Sequence, residues 1–324
     1  MKTTRVAING FGRIGRAFYK AAQGRKEIEI VAVNDLGDKE NMEYLLKYDT
    51  VAGRSEATLE GVRYVSEKEP AKLPWKELDV DVVVESTGFF ASEEKSKAHL
   101  EAGAKRVVIS APVKDGVTVL MGLNEDKIKG SKITSNASCT TNAASPIIAI
   151  LDEAIGIEKA LLNTVHAYTA TQTLIDGPAG KKGFREGRAA AANIIPSSTG
   201  AAVAVTKAYP SLEGKFDGIS LRVPVICGSI SDVTFIAKRD TTVEEVNGAL
   251  RAAAAAARFK GIFAVAEDEL VSSDIIGRTE GAIAELSMTR VVGGNLVKVL
   301  AWYDNERGYS ELLVRHVIEA GKLI

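Results

Sequence analysis

Six residues, "GFGRIG" at 10–15, constrain this chain more than any others. The run before them, "RVAING", reads as a short buried strand, and "GFGRIGRAFYKAAQG" reads as a glycine turn opening a helix. "IEIVAVND" follows as a second apolar strand ending in Asp35, which completes the length of one βαβ unit. In the G-x-G-x-x-G pattern, Gly10 permits a tight turn and Gly12 lets the backbone approach a pyrophosphate. Gly15 lets helix and strand pack closely, and the unpaired N–H groups of the helix start suit phosphate oxygens. Asp35 stands 20 residues after Gly15, where a carboxylate accepts hydrogen bonds from an adenosine ribose and repels a 2′-phosphate. NAD is therefore expected rather than NADP. Two bland readings stay open: glycine turns join strands to helices without any ligand, and a strand-end aspartate also forms turns or caps. Together the two features favour dinucleotide binding.

Further short apolar strands, "VDVVVESTG", "RVVIS" and "KITSN", alternate with a Lys- and Glu-rich helix. That alternation predicts a parallel, doubly wound sheet covered on both faces. After residue 139 the texture changes. "ALLNTVHAYTATQ", "GISLRVPVICGSISDVTFIAKR" and "NLVKVLAWYDN" are longer and β-branched, suited to an antiparallel or mixed sheet. "TTVEEVNGALRAAAAAARFKG" reads as a helix with Thr242 and Glu245 in capping-box spacing. The tail "RGYSELLVRHVIEAGKLI" reads as a helix returning to the first domain. The expected fold is α/β: a Rossmann-type doubly wound parallel sheet, with a second α+β catalytic domain on a mixed, mainly antiparallel sheet. The expected domains are 1–138 plus 305–324, and 139–304.

At 324 residues, two cores are the ordinary expectation. The 41 basic residues nearly cancel the 42 acidic ones, so no overall field recommends a nucleic-acid or membrane partner. "MKTTRVAINGFG" carries no apolar stretch of signal-peptide length, and the expected location is cytoplasmic. Two cysteines, Cys139 and Cys227, do not make a disulfide framework. No metal site is expected.

Cys139 lies in "SNASCTTNAASPI". A lone cysteine is often a small buried hydrophobe, yet Ser138, Thr140, Thr141 and Asn142 are poor company for one sunk in a core. The apolar run after them places a helix start close to Cys139, where free N–H groups lower a thiol pKa. Pro146 complicates that helix, because proline beyond the first turn kinks it. A thiol also needs a base, and the chain has three histidines. His99 falls in the charged, exposed "EEKSKAHLEAG" and His316 in the last helix, each read as a surface or packing residue. His166, at a strand end among hydroxyls in "NTVHAYTATQ", is the convincing partner. Downstream stand Thr169, Arg185, Arg188, Ser197, Ser198, Thr199 and Arg222, whose guanidinium and hydroxyl groups suit phosphate oxygens. Taken singly, each is also an ordinary solvated charge or turn hydroxyl. Cys227 reads as core filler.

The ordered series "INGFGRIGR", "VNDL", "LLKYDTVAGR", "ISAP", "SNASCTTN", "VHAYTATQ", "DGPAGK", "NIIPSSTGAA", "RVPV" and "WYDNE" resembles the phosphorylating glyceraldehyde-3-phosphate dehydrogenases, from about residue 5 to the last helix. The resemblance implies a homotetramer that oxidises D-glyceraldehyde 3-phosphate to 1,3-bisphosphoglycerate with NAD and inorganic phosphate. It makes Cys139 the nucleophile and His166 its activator. Arg13, Ile14, Asp35, Lys68, Ser110 and Asn305 would contact NAD, Asn305 through the nicotinamide carboxamide, with Tyr309 near the ring. Ser138 and Thr140 would flank the nucleophile, and Thr169, Arg185, Thr199, Gly200 and Arg222 would hold the two phosphates. An S-shaped loop would run from about 168 to 194, with Arg188 as the alternative to Arg185. The chain departs from the pattern at Ala143, where a second cysteine is usual, and at Arg307, where Trp or Thr commonly follows "DNE".

The mechanism so implied is covalent: a hemithioacetal on Cys139, hydride loss to NAD, and a thioester cleaved by phosphate. The enzyme alternative is an erythrose-4-phosphate dehydrogenase, a relative with the same nucleophile. A different class, a NAD-binding scaffold without catalysis, is disfavoured by the intact Cys139, His166 and Arg222.

Overall fold

The computed structural model describes residues 3–179 and 183–324, so Gly180 and Lys181 of "DGPAGK" lie outside the described residues. The chain divides into two compact units, 1–138 with 310–324, and 139–309.

The first unit begins β1 (Thr4–Asn9), α1 (Arg13–Ala22), β2 (Ile28–Asn34) and α2 (Lys39–Lys47). A small hairpin, β3 (Tyr48–Asp49) and β4 (Gly53–Arg54), precedes β5 (Arg63–Val65) and β6 (Val82–Glu85). Then come α3 (Glu93–Glu101), β7 (Arg106–Ile109), β8 (Val117–Thr118) and β9 (Ile133–Ser135). Seven of these strands form one sheet in the order β5-β2-β1-β6-β7-β9-β8, and every recorded pairing in it is parallel. Its central strands have apolar middles: Val82, Val83 and Val84 are fully buried, as a sheet covered on both faces requires. The chain leaves β1 toward β2 on one side and returns to β6 on the other. That reversal opens a crevice at the carboxyl ends of the strands, the usual ligand position in such sheets.

The second unit opens with α4 (Cys139–Ala154) and β10 (Ile157–Ala167). It continues with β11 (Ile195–Ser198), α5 (Ala201–Ala208), β12 (Phe216–Val223) and β13 (Ser229–Ala237). After α6 (Val243–Ala255) come β14 (Phe263–Ala266), β15 (Ala282–Val292) and β16 (Leu296–Tyr303). The sheet order is β11-β12-β10-β13-β16-β15-β14. β10–β12 and β14–β15 are parallel and the other four pairings antiparallel, a mixed and mainly antiparallel sheet. Residues along β13 alternate between buried and half-buried, so one face is covered by α4, α5 and α6. The opposite face leaves Leu161 and Ile219 exposed. The long run "GISLRVPVICGSISDVTFIAKR" is two strands; Pro224 and Gly228 fall in the break between β12 and β13. The last helix, α7 (Arg307–Gly321), places Ser310 onward in the first unit, where His316 is buried between Thr134 and Asn136.

Local chemistry explains several ends. Thr242 caps α6 by accepting the Glu245 N–H, but the Glu245 carboxylate takes the Arg239 guanidinium and the Thr241 hydroxyl, so only half of a capping box forms. Pro146 lies inside α4 without ending it; Ser145 Oγ donates to the Asn142 carbonyl, which a proline at 146 leaves without its helical N–H donor. His99 is not a surface residue. Its helix turns it fully inward, where Trp75 Nε1 donates to its Nδ1 at 3.0 Å and its Nε2 meets Glu85 at 3.1 Å. Among the described residues, no helix is long and apolar enough to cross a membrane.

The glycine loop is closely packed. Gly10 has φ +93°, and a Cβ there would lie 2.6 Å from the Thr87 nitrogen. A Cβ on Gly15 would collide with the carbonyl oxygen of Gly10. Gly15→Ala must therefore push α1 away from β1, and thermal denaturation should show a loss of about 1–3 kcal/mol, the usual range for overpacking. An unchanged melting temperature would contradict this packing.

Candidate active site

In the first unit, a cleft of about 550 Å³ lies at the ends of β1, β2 and β6. Gly10, Gly12, Asp35 and Lys68 line it, as the sequence suggests; Arg13, Ile14 and Ser110 are not among its lining residues. Arg13 instead pairs with Asp49 at 2.8 Å, from the first position of α1. A Cβ on Gly12 would meet nothing within 4 Å, so the backbone there is open to close approach. The first turn of α1 holds no acidic residue, and no side chain caps it at Gly12, which leaves it suited to an anion. Asp35 anchors the loop while facing the cleft. Its Oδ2 accepts the Phe11 N–H at 2.6 Å and its Oδ1 the Gly37 N–H at 2.8 Å. An ionised carboxylate has further lone pairs, so ribose hydroxyls can still be accepted. The sequence reading missed Leu36 and Phe89, two exposed apolar side chains of the cleft that offer a flat ring a surface. These residues fit a dinucleotide.

In the second unit, four strand ends meet at one edge of the sheet. β10 and β12 are parallel and in register, so His166 lies opposite Arg222; β13 begins and β16 ends at the same edge, with Ser229 opposite Tyr303. The first residue of α4 is Cys139, and its Sγ lies 3.4 Å from His166 Nε2. The turn before it is strained: Ala137 has φ +54°, held by its N–H on Ser135 Oγ at 3.0 Å.

Burial disfavours charge on both members of the pair. It pushes the Cys139 thiol up, while the Arg222 charge and the Thr140 N–H and hydroxyl pull it down without outweighing burial. The expectation of a depressed thiol is thus corrected by desolvation, although α4 does start at Cys139. Burial first, and the Arg222 charge second, lower His166 to about 3. Burial thus favours the uncharged form of each partner. Moving one proton across the contact creates both charges together, and their attraction offsets much of the cost either bears alone.

Arg222 Nη1 lies 2.7 Å from His166 Nδ1 and donates to the Ala167 carbonyl at 3.2 Å. Its Nε is buried without a hydrogen-bond partner among the described residues, a vacant donor beside the pair that an anion would satisfy. Thr169 bonds to Thr171 and Gln172, and Thr199 accepts the Ala201 N–H at the start of α5, where Gly200 is the N-cap. Neither bonds to Arg222. Arg188 is committed to Asp176 at 2.8 Å, whereas Arg185 is exposed and has no ionic partner among the described residues. That difference leaves Arg185 the more available cation of the two.

Tyr303 was not singled out in the sequence, though it sits in "WYDN". Its hydroxyl joins Thr140 at 2.9 Å to Thr164 at 2.7 Å, and its ring stands edge-on to His166 at 5.9 Å. Asn305 is buried, and its Oδ1 accepts from Gly228 N and Ser229 Oγ, which leaves Nδ2 as a donor. Tyr309 is buried as well. Cys227 is more than filler: its Sγ donates to Asp304, which also caps the start of α7 through the N–H groups of Glu306 and Arg307. Burial and the neighbouring Asp304 push the Cys227 thiol far up, which disfavours its thiolate.

Because the Arg222 charge lowers both His166 and Cys139, Arg222→Leu should raise both pKa values. The pH profile for alkylation of Cys139 by iodoacetamide should move to higher pH; an unmoved or downward-shifted profile would contradict the assignment.

Residues 4–93 match the family model "Glyceraldehyde 3-phosphate dehydrogenase, NAD binding domain", and residues 138–305 match "Glyceraldehyde 3-phosphate dehydrogenase, C-terminal domain". The chain is 48% identical over 340 residues to the glyceraldehyde-3-phosphate dehydrogenase of Mycobacterium avium, covering 99% of each chain. It is 48% identical over 335 residues to the protein of that name from Streptomyces coelicolor, covering 98% of this chain and 99% of the relative. A relative of that name from Mycolicibacterium smegmatis is 47% identical over 341 residues, with 99% of each chain covered.

Proposed function

The chain belongs to the glyceraldehyde-3-phosphate dehydrogenase family, and from that premise we infer that it converts D-glyceraldehyde 3-phosphate, NAD and inorganic phosphate to 1,3-bisphosphoglycerate and NADH. The observation that carries the reading is the 3.4 Å contact between Cys139 Sγ and His166 Nε2 at the start of α4.

Cys139 Sγ attacks the aldehyde carbon as its proton passes to His166 Nε2, and His166 returns that proton to the carbonyl oxygen to give a neutral hemithioacetal. The partial positive charge of the α4 N-terminus favours the negative charge that develops on the substrate oxygen. His166 then takes the hemithioacetal hydroxyl proton as the carbon loses hydride. NAD, when bound, is the hydride acceptor. The thioester left on Cys139 retains enough free energy for phosphate to form an acyl phosphate, which is why sulfur rather than oxygen stands here. Arg222 holds a phosphate, with Thr169, Arg185, Thr199 and Gly200 completing the two anion sites, and Ser138 and Thr140 flank the nucleophile. A phosphate oxygen gives the Arg222 N–H a better acceptor than His166 Nδ1, which frees Nδ1–H for the Ala167 carbonyl and leaves Nε2 as the base.

Gly10, Gly12, Asp35 and Lys68 bind the adenosine and pyrophosphate part of NAD, joined by Arg13, Ile14 and Ser110. Asn305 contacts the nicotinamide carboxamide, and Tyr309 lies by the ring. The protein works as a cytoplasmic homotetramer. The apolar face that leaves Leu161 and Ile219 exposed supports assembly, since such surface is costly in water.

Cys139→Ser should bind NAD as the wild type does and lose at least about 10³-fold in turnover, measured as NADH absorbance. An active serine variant would refute the role. NADH formation beyond one turnover should also require phosphate. Sustained, phosphate-independent oxidation with a preference for erythrose 4-phosphate would point to the other enzyme of this lineage.

A further inference from the structure

Ser229 is the first residue of β13 and is buried at the sheet edge where the site assembles. Its hydroxyl oxygen accepts the Ala167 N–H at 3.1 Å, and its proton goes to Asn305 Oδ1 at 2.9 Å. The Gly228 N–H reaches the same Oδ1 at 3.2 Å. Two donors converging on one atom hold the Asn305 amide in a single orientation, Oδ1 toward them and Nδ2 away. The reverse would set N–H against N–H. On the other side of Ser229, the Ala167 carbonyl meets His166 Nδ1 at 2.6 Å. One serine therefore braces both the backbone beside the histidine and the amide of Asn305.

We propose that Ser229 is a positioning residue that presents Asn305 Nδ2 as a donor to the carboxamide oxygen of the nicotinamide, in register with the Cys139–His166 pair. This rests on the reading of Asn305 as the nicotinamide contact. A hydroxyl suits the position because it accepts one hydrogen bond and donates another at once. Alanine would leave the buried Ala167 N–H unpaired and remove one of the two donors that orient Asn305. The loss should be confined to the nicotinamide half of the cofactor, because every group that Ser229 touches lies in the second unit and none lines the dinucleotide cleft.

The test is calorimetric titration of the full-length protein with NAD and, separately, with ADP-ribose, which lacks the nicotinamide. Ser229→Ala should weaken NAD by about threefold to tenfold, the worth of roughly one hydrogen bond, and leave ADP-ribose within about twofold. In an Asn305→Ala background, adding Ser229→Ala should cost NAD affinity nothing further. Equal weakening of both ligands, or additive losses in the double variant, would overturn the proposal. Unchanged NAD affinity in Ser229→Ala beside a weakened Asn305→Ala would overturn it alone, whereas unchanged affinity in Asn305→Ala would overturn the nicotinamide assignment as well. If Ser229→Ala does not fold, Ser229→Cys keeps nearly the same volume with a poor donor and reads the same quantity.

Discussion

The contact on which the second unit is organised runs from the first residue of a helix to the penultimate residue of a strand: Cys139 Sγ to His166 Nε2. A strand end cannot adjust its side chain without moving its ladder, and a helix start cannot shift without repacking the helix. Both partners are therefore held by many cooperative interactions remote from the chemistry. α4 lies across β10, β13, β16 and β15 with Ile147, Ile148 and Leu151 buried beneath it, so the sulfur is placed by hydrophobic packing. The imidazole is placed by the register of β10 with β12, the same register that brings Arg222 alongside.

Electrostatics then follows from position. A half-buried thiol and a buried imidazole are each costly to ionise, yet a proton passed between them leaves net charge unchanged and creates an attracting pair. Arg222 adds a fixed cation that lowers both groups while one of its N–H donors lacks a partner among the described residues. An anion answers both features, neutralising the charge and satisfying the donor. Tyr303 closes the arrangement by tying Thr140, next to the nucleophile, to Thr164 on the strand that carries His166.

What could be read from the sequence was local. The glycine loop is legible because its demands, a left-handed Gly10 and a Gly15 without room for a Cβ, are met within a few residues. The alternation of short apolar strands and helices likewise announces the parallel sheet. Features set by long-range register were not legible from periodicity. His99 lies in a helix of low amphipathicity, and only the fold shows that its face meets Trp75 and Glu85. Residues 166 and 222 become neighbours through β10–β12 pairing, and Ser229 and Tyr303 through β13–β16 pairing. Residue chemistry could nominate Cys139 and His166 as partners, but their contact waits on helix and strand packing. The helix start that lowers the Cys139 thiol is visible in sequence, whereas the desolvation that raises it depends on the fold.

If Cys139 carries the acyl group, the intermediate can be caught. Enzyme mixed with NAD and D-glyceraldehyde 3-phosphate without inorganic phosphate, quenched in acid and analysed by peptide mass spectrometry, should carry one phosphoglyceroyl adduct, on the peptide holding Cys139. One equivalent of NADH should accompany it, and phosphate should discharge it. A full burst of NADH with no adduct on that peptide, or an adduct on Cys227, would contradict the account.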